Sequence, residues 1–584
     1  MDTKKRTNKE VLESILDNHL KFSTVSGILT TTPEMISYID KNIPEFEIIT
    51  TKSIQIKPNP GNREPIIAEP EIGSFVNAVG LKNKGMEKSY EEIKALTENG
   101  LKAILNISLS ANSINDFITL AKKFEGIADI LELNLSCPHA KEGYGQAIGV
   151  DKDLVHSYVS AVKSNTSALV FPKLTPNVNN IGEIAKSAIT AGADGISAIN
   201  TVGPIEYIDP TSGRAVLYNP KGHLGGKSGE WITKRAIECI TEIRKAIGYQ
   251  IPIIGMGGVT TGEDVRNMLC AGANAIGLGS VLGRIKQQEL PEFIKAVSND
   301  ALTFKYNSIK YISQEKSLNY TKSKIIKIDD LNENLRILRL SNSLDFQESQ
   351  YAFLWHPDAG EKPFSIVDSN PLTFLIKRRE YAPLSDKGLF TNLIFSLKKG
   401  DTIYLRGPYG NEVEKTNAKI ALIVAGGSGV AVAPSLAKSL KANGKECIIF
   451  HGIKDDSESL QKEDFMKGLC YVPITDNGIN ARVLDALNDY ISLNKPSTPK
   501  DTGHLLDLVC YNIGPLGFMK KASELEEKLG IAEEKIYCSL EPKSMCGIGI
   551  CGECACGEKL TCQHGTFVSL KYLLDNSINL LKYT

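Results

Sequence analysis

Residues 252–280 read PIIGMGGVTTGEDVRNMLCAGANAIGLGS, and this stretch decides the fold. Two short apolar runs, Pro252–Met256 and Ala275–Gly279, flank an amphipathic segment. Gly257-Gly258 follows the first run, and Gly279-Ser280 closes the second. Apolar runs alternating with amphipathic crossovers imply parallel strands joined by helices. Backbone amides free of side chains, next to helix N-termini, are what a phosphate needs.

Outward from this unit the same alternation supplies Lys102–Ser108, Asp129–Ser136, Leu169–Thr175 and Gly195–Asn200 as strands. Helix-like segments such as Asp153–Asn165 and Trp231–Gly248 lie between them, and Glu47–Lys52 and Phe75–Val79 bring the strand count to eight. Eight such units in roughly 300 residues fit a (β/α)₈ TIM barrel, an α/β fold whose strands all end on one catalytic face. Lys52, Asn77, Asn106, Asn134, Lys173, Asn200 and the glycines at 257, 258 and 279 sit at or just past those ends. Barrels frequently bind phosphate after strands seven and eight, so FMN or a sugar phosphate is expected there.

Asn77, Asn134 and Asn200 lie on three strand ends, with Lys52, Lys173 and Thr201. Each amide offers a donor and an acceptor, so the set suits a flat ligand with alternating C=O and N–H edges, such as a pyrimidine. A single Asn is more often a turn or cap. Cys137 follows a strand directly, where a barrel places acid/base groups, although a lone Cys is commonly a small buried apolar residue. Cys239, Cys270 and Cys447 fall on apolar faces and read as packing. Gly225-Gly226-Lys227-Ser228 is no phosphate-binding P-loop, because Lys221 stands where that motif requires glycine.

A chain of 584 residues exceeds one core, and 67 Lys+Arg against 68 Asp+Glu suggests no nucleic acid partner. The polar start, MDTKKRTNKEVLESILDNHL, lacks a secretory apolar run, and no stretch approaches the ~20 apolar residues of a membrane span, so the cytoplasm is expected. Around residues 300–320 the barrel pattern stops. Short alternating runs from 322 to 415 read as a small antiparallel β-barrel. Lys419–Ala425 followed by Gly426-Gly427-Ser428-Gly429 and a helix-like segment reads as the start of an α/β nucleotide-binding domain.

Five of the twelve cysteines fall between Cys546 and Cys562. Cys546, Cys551, Cys554 and Cys562 have the Cys-x4-Cys-x2-Cys…Cys spacing of plant-type [2Fe–2S] ligation, with Cys556 as a neighbour. Structural zinc also takes four thiolates, but its usual paired Cys-x2-Cys units are absent.

Lys362-Pro363-Phe364-Ser365 resembles the Arg-Pro-x-Ser flavin motif of ferredoxin reductase-like proteins, with Lys362 keeping the charge but not the bidentate geometry of Arg. Tyr511-Asn512-Ile513-Gly514-Pro515 resembles the Cys-Gly-Pro nicotinamide-side motif, with Ile513 where the cysteine is usual. Asn77-Ala78-Val79-Gly80-Leu81, Asn134-Leu135-Ser136-Cys137-Pro138, Lys173-Leu174-Thr175-Pro176-Asn177, Ile199-Asn200-Thr201, Gly225-Gly226-Lys227-Ser228-Gly229 and Gly255-Met256-Gly257-Gly258 together resemble the catalytic subunit of class 1B dihydroorotate dehydrogenases. Residues 322–584 resemble that enzyme's FAD and iron–sulfur subunit, as if both subunits were joined.

That resemblance implies an FMN barrel over 1–312, an FAD-binding β-barrel over 320–415, an NAD-binding α/β domain over 416–530 and a [2Fe–2S] domain over 531–584, with self-association through the barrel. It implies that Ser26, Lys52, Ser53, Asn106, Asn134, Lys173, Ile199, Gly229, Gly257, Gly258, Gly279 and Ser280 hold FMN. Lys52, Asn77, Ala78, Val79, Gly80, Leu81, Asn134, His139, Asn200 and Thr201 would hold dihydroorotate, with Cys137 as the base. Lys362, Pro363, Phe364 and Ser365 would address FAD, and Gly426, Gly427, Gly429 and Gly514 the nucleotide. Electrons would run from FMN through the cluster to FAD and NAD.

His139 stands where dihydroorotate enzymes usually carry Asn, and Cys-Pro-His also occurs in dihydropyrimidine dehydrogenases. Reduction of an uncharged pyrimidine such as uracil is therefore the rival activity, and an electron carrier with a non-catalytic barrel is the third. Cys137→Ala is expected to retain FMN yet slow flavin reduction by dihydroorotate about 10²–10⁴-fold, the usual worth of a positioned base. Anaerobic stopped-flow absorbance measures this, and an unchanged rate removes Cys137 from that role.

Overall fold

The computed structural model describes residues 5–135, 146–303, 313, 315–381, 388–475, 481–493 and 507–580. Cys137 and His139 lie outside them. The chain divides into two compact units, one of residues 1–319 with 548–558 and one of residues 320–547 with 559–584.

In the first unit, eight parallel strands close into a barrel. Phe22–Thr24, Phe46–Thr50, Ile104–Leu109, Ile130–Asn134, Leu169–Leu174, Ile196–Ala198, Ile253–Met256 and Ala275–Leu278 pair successively, and the last pairs back to the first. Helices between them bury one apolar stripe each. Ile114–Phe124, capped by Ser113 Oγ on the Asp116 amide at 3.1 Å, buries Phe117, Leu120, Ala121 and Phe124. The expected helices appear as Lys152–Lys163 and Thr233–Ile247.

Phe75–Val79 is not a barrel strand. Ser74–Asn77 runs antiparallel between Ile67–Glu71 and Leu224–Gly229, in a four-stranded sheet completed by Val202–Glu206. Only Ile72 and Gly73 separate it from Ile67–Glu71, which permits a hairpin but not a parallel crossover. The strand that closes the barrel instead is Phe22–Thr24, whose three buried residues include two polar ones and show no apolar run. Cys270 is also corrected: it is exposed at the end of Gly262–Cys270, where Val265 and Met268 form the buried stripe.

Inside the barrel, Ile48, Ile104, Ile130, Leu169, Phe171 and Ile254 form an apolar floor, joined by Val11 and Ile15 of the helix Asn8–Leu16. Two residues further along the strands, on the same face, stand Thr50, Asn106, Glu132 and Lys173, all buried. Asn106 Nδ2 donates to Thr50 Oγ1 at 3.0 Å, and Lys173 Nζ lies 3.9 Å from Glu132.

The second unit holds two sheets. Gly360–Ser365, Tyr351–His356, Thr402–Tyr409, Thr321–Asn332, Leu335–Leu340, Leu372–Lys377 and Asp368–Ser369 make an antiparallel ladder of seven. Where a small closed barrel was expected, no pairing joins the two outermost strands among the described residues. The other sheet runs Cys470–Thr475, Glu446–Ile453, Ile420–Gly426, Leu508–Ile513, Ile536–Ser539, all parallel, then Phe567–Ser569 antiparallel. Chain order in this sheet reverses between Ile420–Gly426 and Leu508–Ile513, the topological switch point where open α/β sheets bind ligands. Among the described residues no helix is long and apolar enough to cross a membrane.

Beneath this sheet Glu526, on the helix Leu516–Lys528, is fully buried and accepts from Asn512 Nδ2 at 2.7 Å. Burial pushes its carboxyl up to about 8, against the opposing hydrogen bonds of Asn512 and Cys510. The stabilisation from keeping it protonated is complete below its ordinary value of 4.5 and is lost as the pH rises towards 8. Glu526→Gln should therefore remove ~1–3 kcal/mol of pH-dependent destabilisation between these limits, read as the difference in urea unfolding midpoints at pH 5 and pH 8.

Candidate functional site

A cavity of about 230 Å³ opens at the C-terminal ends of the barrel strands. Ser26 follows the first strand and Lys52 and Ser53 the second, while Asn134 ends the fourth and Lys173 lies near the end of the fifth. Ile199, Asn200 and Thr201 follow the sixth strand, Gly257 and Gly258 the seventh, and Gly279 and Ser280 the eighth. Asn77, Val79, Gly80, Leu81 and Gly229 reach the same cavity from the four-stranded sheet. Ala78 and Asn106 do not line it. Ala78 is buried with its amide on Ile66 O at 2.8 Å, and Asn106 sits one layer lower, inside its strand.

The polar side chains are wired together. Ser26 and Ser53 hydroxyls lie 3.1 Å apart, Ser53 and Ser108 2.9 Å, and Asn134 Nδ2 donates to Ser53 Oγ at 3.0 Å. Asn200 Nδ2 donates to Asn134 Oδ1 at 3.3 Å, and Asn77 Nδ2 to Gly226 O at 3.3 Å. These contacts fix the amide planes before any ligand arrives, which favours a ligand with a set pattern of donors and acceptors. At another edge, Gly229 and Gly258 pack backbone on backbone. A Cβ on Gly229 would lie 2.1 Å from Gly73 O, and one on Gly258 2.2 Å from Thr233 Oγ1, with φ of +99° and +76°. This glycine edge presents a cradle of the kind a phosphate uses.

The sequence reading missed three groups here. Asn59 donates to Gly80 O at 3.1 Å and Asn62 to Ala78 O at 2.9 Å, holding the 77–81 loop from beneath. The Asn-Pro-Gly-Asn run at 59–62 was the available signal. Lys82 lines the cavity, and so do Ile550, Cys551 and Glu553 of the 548–558 segment. Cys551 belongs to the cysteine spacing, but no local pattern places it, Ile550 or Glu553 at the barrel cavity. Glu553 binds Lys82 Nζ with one oxygen and lies 3.4 Å from Lys52 Nζ with the other. Burial, with the neighbouring Lys82 charge, lowers the Lys52 ammonium from its usual range against the pull of Glu553. Burial alone would raise Glu553, but the two lysines hold it below the usual carboxylate range.

In the second unit, Lys362, Pro363, Phe364 and Ser365 lie on the strand Gly360–Ser365, paired with Tyr351–His356. Glu361 on the same strand is fully buried and bidentate with Arg406, at 2.9 and 2.5 Å. Gly426, Gly427, Gly429 and Gly514 gather at the sheet reversal. A Cβ on Gly429 would meet Gly514 Cα at 2.9 Å, and one on Gly514 would meet Gly426 O at 3.0 Å. His451, absent from the sequence-based set, bonds Gly427 O at 2.9 Å, and burial pushes its imidazole down to about 4.

Cys546, Cys551, Cys554 and Cys562 are all buried, as is Cys556. Among the described residues no group of three or more His, Cys, Asp or Glu is assembled to hold a metal ion. Cys546 and Cys562 belong to the second unit and Cys551 and Cys554 to the first.

Residues 9–297 match the family model described as dihydroorotate dehydrogenase. The chain is 40% identical over 257 residues to the dihydroorotate dehydrogenase B (NAD(+)) catalytic subunit of Methanocaldococcus jannaschii, covering 44% of this chain and 81% of that one. It is 37% identical over 287 residues to the same-named subunit of Pyrococcus abyssi, covering 49% and 92%. Gly258→Ala is expected to destabilise the barrel unit by about 1–3 kcal/mol, because the left-handed φ and the Thr233 contact both resist a Cβ. Denaturant unfolding measures this, and an unchanged midpoint refutes the tight cradle.

Proposed function

Since the chain belongs to the dihydroorotate dehydrogenase family, we propose that the barrel cavity oxidises dihydroorotate to orotate on FMN, and that the remaining chain delivers the electrons to NAD. The observation that carries this reading is the convergence of Asn77, Asn134, Asn200 and Lys52 on one cavity beside a glycine cradle. FMN, when bound, supplies a two-electron acceptor. Its phosphate suits the backbone of Gly229, Gly257, Gly258, Gly279 and Ser280, and its ring the polar groups of Ser26, Ser53, Asn134 and Lys173. The cavity and its donor set fit such a group, with Lys173 as a cation and Asn134 and Ser53 as preset hydrogen-bonding partners.

The ring of the substrate would lie against Asn77, Val79–Leu81, Asn134, Asn200 and Thr201. Their amides orient its C=O and N–H edges. Lys52 offers an ammonium to the carboxylate. Cys137 would take the ring proton, and His139 is assigned to the substrate set by the resemblance alone.

For the second half we propose an FAD site at Lys362–Ser365 and a nicotinamide site at the sheet reversal around Gly426–Gly429 and Gly514. A [2Fe–2S] cluster is assigned to Cys546, Cys551, Cys554 and Cys562 on their spacing and thiolate chemistry. The chain would then comprise an FMN barrel (1–312), FAD domain (320–415), NAD domain (416–530) and cluster domain (531–584).

Purified enzyme should carry FMN and FAD in equal amounts with two iron and two sulfide per chain, and oxidise dihydroorotate rather than consume NAD(P)H with uracil. Cys551→Ser should lose iron and NAD reduction while keeping ferricyanide-linked dihydroorotate oxidation. Full NAD reduction in an iron-free variant, by metal analysis and absorbance at 340 nm, refutes the wiring.

A further inference from the structure

Lys52, Lys82 and Glu553 form a row at one end of the barrel cavity, with side chains 15%, 14% and 14% exposed. Each comes from a different part of the chain. Lys52 follows the second barrel strand and Lys82 the 77–81 loop, while Glu553 lies within the 548–558 segment. That segment is fixed in place by the Leu29 amide on Ile550 O at 3.3 Å and by Thr31 Oγ1 on Cys551 O at 2.7 Å. The segment is therefore held just before Glu553, and the carboxylate by its two lysines.

We propose that Glu553 is a specificity-determining residue, a built-in carboxylate that competes with the anionic group of the ring for Lys52 and Lys82. The proposal rests on the reading that the substrate carries a carboxylate. Counted over these three side chains, two ammonium groups and one carboxylate leave one excess positive charge, which suits a monoanion. The competition weakens the hold on that anion, so the anionic product can leave. A neutral ring can accept hydrogen bonds from the lysines but makes no ion pair with them. The same three side chains also line a neighbouring cavity of about 110 Å³, so a displaced Glu553 side chain has a volume to enter without moving its backbone.

Charge counting fixes the sign of the test. Glu553→Gln leaves Lys82 charged, and Lys52 either charged or neutral, so the excess positive charge is never below that of the parent. Lys82→Met leaves Lys52 matched against Glu553 and no excess. The flavin-loaded enzyme, with flavin and iron contents checked for each variant, is titrated calorimetrically with orotate and separately with uracil as a neutral probe. Glu553→Gln should lower the orotate Kd and the dihydroorotate KM about tenfold, with slower release of the anionic product. Lys82→Met should raise the orotate Kd about tenfold. The response to uracil should change far less than the response to orotate, because only hydrogen bonds and no ion pair are altered.

An orotate Kd that is unchanged or higher in Glu553→Gln overturns the proposal. Should that variant lose its metal, an unchanged orotate Kd in Lys82→Met overturns it instead. A parent enzyme that binds uracil but not orotate overturns the functional reading and this proposal together, and is recognised before any variant is made.

Discussion

Parallel pairing all the way round the barrel is the constraint on which the site depends. Because each of the eight strands runs in the same sense, each delivers its C-terminal end to the same face, and residues from Ser26 to Ser280 meet in one cavity. The interior is layered accordingly. An isoleucine-rich floor closed by the first helix excludes water, and a polar layer of Thr50, Asn106, Glu132 and Lys173 stands between that floor and the cavity. Among the described residues, both carboxylate oxygens of Glu132 are buried without a hydrogen bond, and Lys173 Nζ lies 3.9 Å away. Such a pair costs more desolvation than an apolar pair would, so it is weak evidence for stability.

Charge is handled in the same way at two buried places. Lys52 and Lys82 share Glu553 in the barrel unit, and Arg406 is held bidentately by Glu361 in the other. Arg406 also donates to Cys546 O at 2.8 Å and stacks 4.0 Å from the Phe353 ring centroid, while Tyr320 OH donates to Glu361 at 2.6 Å. Removing either member would leave an uncompensated ion in a dry interior, which is far costlier than the pair itself is favourable. The strand bearing the proposed flavin motif and the backbone of the first cysteine of the cluster spacing are thereby tied to one fixed point within the second unit.

Glycines serve a different purpose at the two nucleotide-type edges. In the barrel they let loops from different strands touch through backbone, as at Gly229 and Gly258. At the sheet reversal, Gly426, Gly429 and Gly514 do the same for two adjacent strands. Both arrangements leave amides uncovered by side chains at a strand's C-terminal end, the condition under which a phosphate can approach the main chain.

The sequence by itself determined the parallel α/β alternation, seven of the eight barrel strands, the glycine turns and the set of asparagines and lysines at the strand ends, because each is written in residues close together along the chain. It also placed the strand and glycine turn that open the second α/β sheet. Tertiary structure alone decided that Phe22–Thr24 closes the barrel, since three residues are too few to show a period. It decided that Ser74–Asn77 pairs with Leu224–Gly229, a partner about 150 residues away. It placed Asn106 inside its strand rather than at its end, because register, not composition, sets how far a strand extends. The pairing of Glu553 with Lys52 lies furthest beyond local reading: 501 residues separate them, and no periodicity or motif spans that distance, so only folding reveals a carboxylate at the mouth of the barrel.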